Sequence, residues 1–354
     1  MHYMNWFRSK VVTYLWHAFQ LPGFKKFLKL LFTVLIFYLI VRMVSYHDLK
    51  REILNAKLSF LVMALIASIG RTLLMAWRWQ LLLNTKGYRY PLDTLLKLYF
   101  IGFFFNNLLP TAIGGDVARA VKLSGHKIAK RTAVSSILME RLLGLPALLL
   151  ISSASYLICH NDIALQNNIM KMTGKFVFVA GLAGLPIFLI PTFFRNYFIR
   201  LHPSLNILQK LVTVLNEFAD YWIKPFNLLV ALTITTICQL CGVVSVYLVS
   251  LSIGQEIPFV YFSFLLPIIW LAIMLPISIS GLGVREGLFL FLFGIVGMPG
   301  QSAIAISLLW LTFVYGQSLI GGFLFLTDRG HPSAEKSTGN KDTKTYDTMN
   351  RKNL

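Results

Sequence analysis

The chain has 354 residues, 56% of them hydrophobic and 13% charged, with a mean hydropathy of +0.67. Charged residues make up about a quarter of an ordinary soluble domain, so this composition excludes one and predicts a polytopic membrane protein of the all-α class. The formal net charge of +19 does not point to nucleic acid, because the basic residues are spread between apolar runs; anchoring beside anionic headgroups accounts for them.

In chain order, residues 1–26 set Phe7, Val11 and Ala18 at helical spacing beside Arg8, Lys10, Lys25 and Lys26, which predicts a cytoplasmic interfacial helix. A transmembrane domain is predicted over 27–326. Its first span is 27–45 and its second 58–83, long enough at ~1.5 Å per residue to cross a core of ~30 Å. Trp77-Arg78-Trp79 in the second span reads as an interfacial group with a snorkelling arginine. Residues 95–109 are too few for a comfortable span and read as one leg of a re-entrant hairpin that closes at Pro110 and returns near Asp116. Spans follow at 131–157, 175–193 and 226–252, separated by a polar loop at 159–171 and a basic one at 195–224. Then come 259–279, a second Pro/Gly break, 284–298 and a last span at 302–326. The Ser/Thr/Lys/Asn/Asp-rich tail, 327–354, is expected to be disordered and cytoplasmic.

The two breaks resemble each other. Leu109-Pro110-Thr-Ala-Ile113-Gly-Gly115-Asp-Val-Ala-Arg119 aligns without a gap on Leu275-Pro276-Ile-Ser-Ile279-Ser-Gly281-Leu-Gly-Val-Arg285. Backbone groups freed at such breaks are tolerated at membrane depth only inside protein or beside water, so each predicts a cavity lining. Lys and Arg concentrate at the amino terminus, at 119–131 and at 195–224, which places these stretches and both termini in the cytoplasm. Three spans then separate the breaks. An odd number inverts the second copy, so the expected fold is a helical bundle with two re-entrant segments related as an inverted repeat, an arrangement that places transport sites near the bilayer midplane.

Several polar residues fall where lipid would not tolerate them. Glu140 and Arg141 lie roughly 13–15 Å into their span by helix rise, so each needs a partner, with Arg71, Arg285 or the neighbours of Arg141 as candidates. This is either a buried pair that orders the bundle or part of a polar path. Asp116 reads as the N-cap of the helix carrying Arg119 and Lys122, with Gly114 and Gly115 making the turn. Those cations and the free N–H groups could also form an anion site for a lipid phosphate. Arg285-Glu286 is the corresponding pair on the second copy. Asn106 and Asn107 are expected to hydrogen-bond the first break. Ser152, Ser153, Ser155, Gly181 and Gly184 read as small residues at helix contacts. Cys238-x-x-Cys241 lies in an apolar helix and reads as packing; no metal or cofactor is expected.

Together, Arg78-Trp79-x-x-Leu-Leu, Gly102-x-Phe-x-Asn106-Asn107-x-Leu-Pro110-x-x-x-Gly114-Gly115-Asp116-x-x-Arg119, Glu140-Arg141-x-x-Gly144 and Pro276-x-Ser278-x-Ser280-Gly281-Leu-Gly283-x-Arg285-Glu286 resemble the lysylphosphatidylglycerol synthase transmembrane, or flippase-like, family. The resemblance spans about 27–326 and implies a multi-pass protein of the bacterial cytoplasmic membrane. Its larger relatives move aminoacylated phosphatidylglycerol between leaflets and carry a soluble aminoacyl-transferase domain. The tail from Asp328 is too short for such a domain, so that activity is not expected. The expected function is translocation of a phospholipid or lipid-linked headgroup, with anionic or phosphate-bearing lipids and a separately encoded lipid-modifying enzyme as partners. Its path would comprise Arg71, Asn106, Asn107, Gly114, Gly115, Asp116, Arg119, Lys122, Glu140, Arg141, Ser278, Ser280, Arg285 and Glu286. The alternatives are a membrane-embedded polyprenyl-phosphate-dependent transferase, with Glu140 or Asp116 as base, and a non-catalytic subunit.

Overall fold

A computed structural model describes residues 45–108, 113–125, 128–162, 167–199, 218, 221–274, 281–328 and 335–336. The expected interfacial helix over 1–26, the first span up to residue 44, both proline breaks with Ser278 and Ser280, and all but residues 327, 328, 335 and 336 of the tail lie outside these. The described elements are helical: α1 (Tyr46–Leu54), α2 (Leu58–Thr85), α3 (Leu92–Leu108), α4 (Gly114–Ser124), α5 (Lys130–Cys159), α6 (Asn168–Ile199), α7 (Pro225–Ser252), α8 (Phe259–Met274), α9 (Val284–Ile295) and α10 (Gly300–Thr327). A two-residue bridge pairs Tyr88 with Lys336 and Arg89 with Glu335, too small to form a layer. Among the described residues, α2, α5, α7 and α10 are long and apolar enough to cross a membrane. Their outward faces carry exposed Ile66, Leu73, Leu145, Leu229, Leu319 and Phe323, as a lipid-facing surface requires.

Most boundaries fall within three residues of the sequence expectation. Two differences have local causes. The stretch between the first two expected spans, residues 46–57, contains α1: Ser45 Oγ accepts from Asp48 N at its start, and Glu52 accepts from Ser302 Oγ at 2.8 Å, seating it on the start of α10. Helix α6 begins at Asn168 rather than 175, with Asn167 Oδ1 accepting from Ile169 N. Ser153 does sit at a helix contact, donating to the Val177 carbonyl of α6 at 3.1 Å.

The centre of the bundle is the antiparallel pair α2 and α7. Lys57 N donates to Ser252 O at 2.8 Å, Ser245 Oγ to Ala64 O at 2.8 Å, Arg71 to Gln239 at 3.4 Å, Arg78 to Thr235 at 3.3 Å and Asn227 to Thr85 at 3.4 Å. On α2 these positions recur every seven residues (57, 64, 71, 78, 85), which makes one stripe down a helix. That stripe corrects the snorkelling assignment. Arg78 is 5% exposed and faces α7, Trp79 is fully buried, and Trp77 alone of the three faces outward, at 50%.

Around this pair the element lengths repeat. Helices α2, α3, α4 and α5 have 28, 17, 11 and 30 residues; α7, α8, α9 and α10 have 28, 16, 12 and 28. The halves also exchange partners, since α3 packs on α10 while α8 packs on α5. The first contact is intimate. A Cβ on Gly321 would overlap the Phe100 carbonyl, so only glycine lets α10 approach α3 this closely.

Candidate functional site

The first polar centre joins four helices. Glu140 of α5 is 4% exposed. It accepts from Arg78 Nη2 of α2 at 2.9 Å, from Arg119 Nη1 of α4 at 2.9 Å, and from the hydroxyl of Tyr99 on α3. Arg119 also donates to Asp116 at 2.7 Å, and its guanidinium lies 4.3 Å from the Tyr99 ring centroid and 5.0 Å from that of Trp79. Asp116 in turn accepts from Arg141 Nε at 2.5 Å. A carboxylate that accepts from two guanidiniums and a hydroxyl, as Glu140 does, is in the form in which it can be kept at membrane depth.

Several expectations change here. Glu140 pairs with Arg78 and Arg119, whereas Arg285 binds Glu286 and Arg71 faces Gln239 of α7. Asp116 is not the N-cap. Ile113 occupies that position without a side-chain bond, and Asp116, the third residue of α4, is held by two arginines. Lys122 is not free for an anion either. It pairs with Asp328 just past α10 at 2.5 Å and lies 5.0 Å from the Phe325 ring. Asn106 closes the first break as expected, its Oδ1 accepting from Gly115 N at 2.7 Å. A Cβ on Gly115 would overlap both the Gly102 carbonyl and the Asn106 amide, so this glycine is required by close approach to α3. Asn107 behaves differently: its Nδ2 is buried with no partner among the described residues.

The second centre follows the other break. Gly281 and Gly283, both at positive φ, make the turn into α9. Glu286 Oε2 accepts from Gly283 N at 2.7 Å, while its Oε1 binds Arg285, whose Nε also reaches Ser307 of α10 at 3.0 Å. Asp116 and Glu286 are thus each the third residue of the short helix after a break, whereas Arg119 is the sixth of its helix and Arg285 the second of its own. The gapless alignment equates the two arginines; helix starts place them about one turn apart. Among the described residues no hydrogen bond or ion pair links this centre to the first.

Arg71 lies at the middle of α2, seven residues before Arg78. It donates weakly to Gln239 and its guanidinium is 5.4 Å from the Trp270 ring centroid. It has no carboxylate partner among the described residues, and its Nε is buried without an acceptor, as is Nε of Arg78. The partners missed from sequence are Arg78, Tyr99, Gln239, Trp270 and Ser307. The seven-residue step from Arg71 to Arg78 was the available signal for the first of them.

A model of the lysylphosphatidylglycerol synthase TM region matches residues 26–321. A UPF0104 membrane protein of Methanocaldococcus jannaschii is 22% identical over 295 residues, covering 78% of this chain and 87% of the relative. One from Methanothermobacter thermautotrophicus is 22% identical over 310 residues, covering 79% and 86%. No solved structure matches the chain.

Proposed function

The chain belongs to the lysylphosphatidylglycerol synthase transmembrane-region family, and from that premise we propose that it moves a membrane lipid with an anionic, phosphate-bearing headgroup between leaflets. The observation that carries this reading is the set of N–H donors that α2 and α3 leave unbonded. Arg71 Nε, Arg78 Nε and Asn107 Nδ2 are buried and unpartnered among the described residues, whereas the carboxylate oxygen in the same state, Glu52 Oε2, belongs to α1 at the start of α10, and the Ser263 hydroxyl of α8 can donate or accept. Donors left in this state cost free energy unless an acceptor meets them, and a phosphate supplies several acceptor oxygens. Charge points the same way. At the first centre three arginines face two carboxylates, Arg285 and Glu286 cancel, and Arg71 adds one more cation.

A path needs access from both faces, which two re-entrant hairpins dipping from opposite sides would provide. Contacts at the helix ends support that layout. Lys122, beyond the first break, touches the end of α10, and Thr85 at the end of α2 touches the start of α7. At the other end of the α2–α7 pair, Lys57 meets Ser252, Tyr261 of α8 donates to Asp162 just past α5, and Glu52 meets the start of α10. Helices α3 and α4 thus begin and finish near one set of ends, and α8 and α9 near the other. The matching element lengths and exchanged packing fit an inverted pair.

The test is leaflet-resolved labelling of native anionic phospholipids in cells with and without the gene. Loss of the protein is expected to shift at least one such lipid between leaflets; an unchanged distribution of every anionic lipid would contradict the reading.

A further inference from the structure

A trough opens sideways between α4 and α5. Its cavity is about 130 Å³, with Ile113, Val117 and Ala120 on one wall facing Val134, Ile137 and Leu138 on the other. The spacing of three and four residues puts each set on one helix face. Val117, Val134 and Leu138 are 55%, 45% and 42% exposed, so the trough is continuous with the surface that meets acyl chains. One end differs in kind. There Asp116 and Arg141 line the cavity and bond to each other.

An apolar trough that ends at a guanidinium matches the chemistry of one phospholipid, with acyl carbon along the walls and phosphate beside the cation. In the structure the anion beside Arg141 is a carboxylate of the chain itself. Asp116 can give up that contact without becoming unpaired, because its other oxygen is held by Arg119. Arg119 in turn keeps Glu140.

We propose that this trough is a lateral portal for a phospholipid of net negative charge, and that Asp116 is an internal anion which the lipid phosphate displaces from Arg141. The portal deepens the translocator reading and rests on it for the transfer step after binding. A zwitterionic lipid gains less from the exchange, since its phosphate already has a cation beside it. The sign of one substitution separates this from a purely structural ion pair. If Asp116 competes with the ligand, removing its charge strengthens lipid binding; if it only holds α4 to α5, removing its charge weakens whatever the trough holds.

The experiment uses the full chain purified into phosphatidylcholine nanodiscs doped with phosphatidylglycerol bearing a photoreactive acyl chain. Crosslinks are mapped by mass spectrometry. Labelling is expected on the peptides carrying Val117, Val134 and Leu138, and to exceed that from an equally reactive phosphatidylcholine probe. Asp116→Asn should raise apparent affinity at least about fivefold, the low end of coupling between linked sites, and Arg141→Gln should abolish the preference between the probes. Ala120→Phe fills the trough without touching the ion pair and should remove the labelling while the thermal midpoint is kept. Equal labelling by both probes, a folded Asp116→Asn protein that binds more weakly, or unchanged labelling of Ala120→Phe would each overturn the portal; the last decides the matter if Asp116→Asn does not fold. Leaflet transport measured on the same proteins separates the two claims. Labelled troughs without transport by the wild type would sink the translocator and spare the portal, whereas full transport by an unlabelled Ala120→Phe protein would do the reverse.

Discussion

Glu140→Gln removes one charge while keeping shape, and the geometry sets its cost. The carboxylate accepts from Arg78 and Arg119, each at 2.9 Å, and from Tyr99, all in the interior. An amide has one acceptor oxygen, so its NH₂ must face one of the two guanidiniums, donor to donor. Both arginines then lose their shared counter-charge; Arg119 keeps Asp116, but Arg78 keeps only neutral partners, Thr235 and Tyr99. Breaking one side of a buried ion pair costs about 3–5 kcal/mol, and this single change loosens α2, α3, α4 and α5 together. The assay is equilibrium unfolding of the purified protein in mixed micelles, wild type against Glu140→Gln. Arg119→Met should then cost less in the Gln background than alone, with a coupling of about 1–3 kcal/mol. A Glu140→Gln protein within ~1 kcal/mol of wild type would refute the argument that this carboxylate holds the four helices.

Gly115→Ala places a methyl group against the Gly102 carbonyl and the Asn106 amide, and should cost about 1–3 kcal/mol by the same unfolding assay. Arg71→Met should leave stability equal or higher, since it removes a buried charge with no described carboxylate, yet weaken binding of an anionic lipid at least about tenfold, or ~1.4 kcal/mol; the check is lipid binding and thermal midpoint on one preparation. In a background lacking Cys159, Cys238 and Cys241, cysteines at His126 and Gln255 should be labelled from opposite faces, and labelling of both from the same face would contradict the inverted hairpins.

The helices were legible because their signals are local. Apolar length located α2, α5, α7 and α10, and Pro110 with Gly114 and Gly115 located the end of α3 and the start of α4. Partners were less legible because they depend on how helices rotate against each other. Arg71 and Arg285 are candidates for Glu140 by depth alone, whereas the packing of α4 on α5 delivers Arg119 and the α2 stripe delivers Arg78. The gapless alignment equates Arg119 with Arg285, whereas the helix starts equate Asp116 with Glu286, because identity of one arginine says nothing of where a helix begins. Helix α1 escaped because its stability comes from Ser45 and from Glu52 on Ser302, one a cap and the other a contact 250 residues away.

The central claim is that an anionic lipid crosses by way of the interior at Arg71. It is tested most directly by reconstituting wild type and Arg71→Met into liposomes carrying a fluorescent phosphatidylglycerol, then bleaching the outer leaflet with a membrane-impermeant reductant, with and without an imposed pH or sodium gradient. The account predicts that wild type exposes inner-leaflet probe faster than empty liposomes in at least one condition, while folded Arg71→Met matches the empty rate. Equal rates for wild type and Arg71→Met, or for wild type and empty liposomes in every condition, would contradict it.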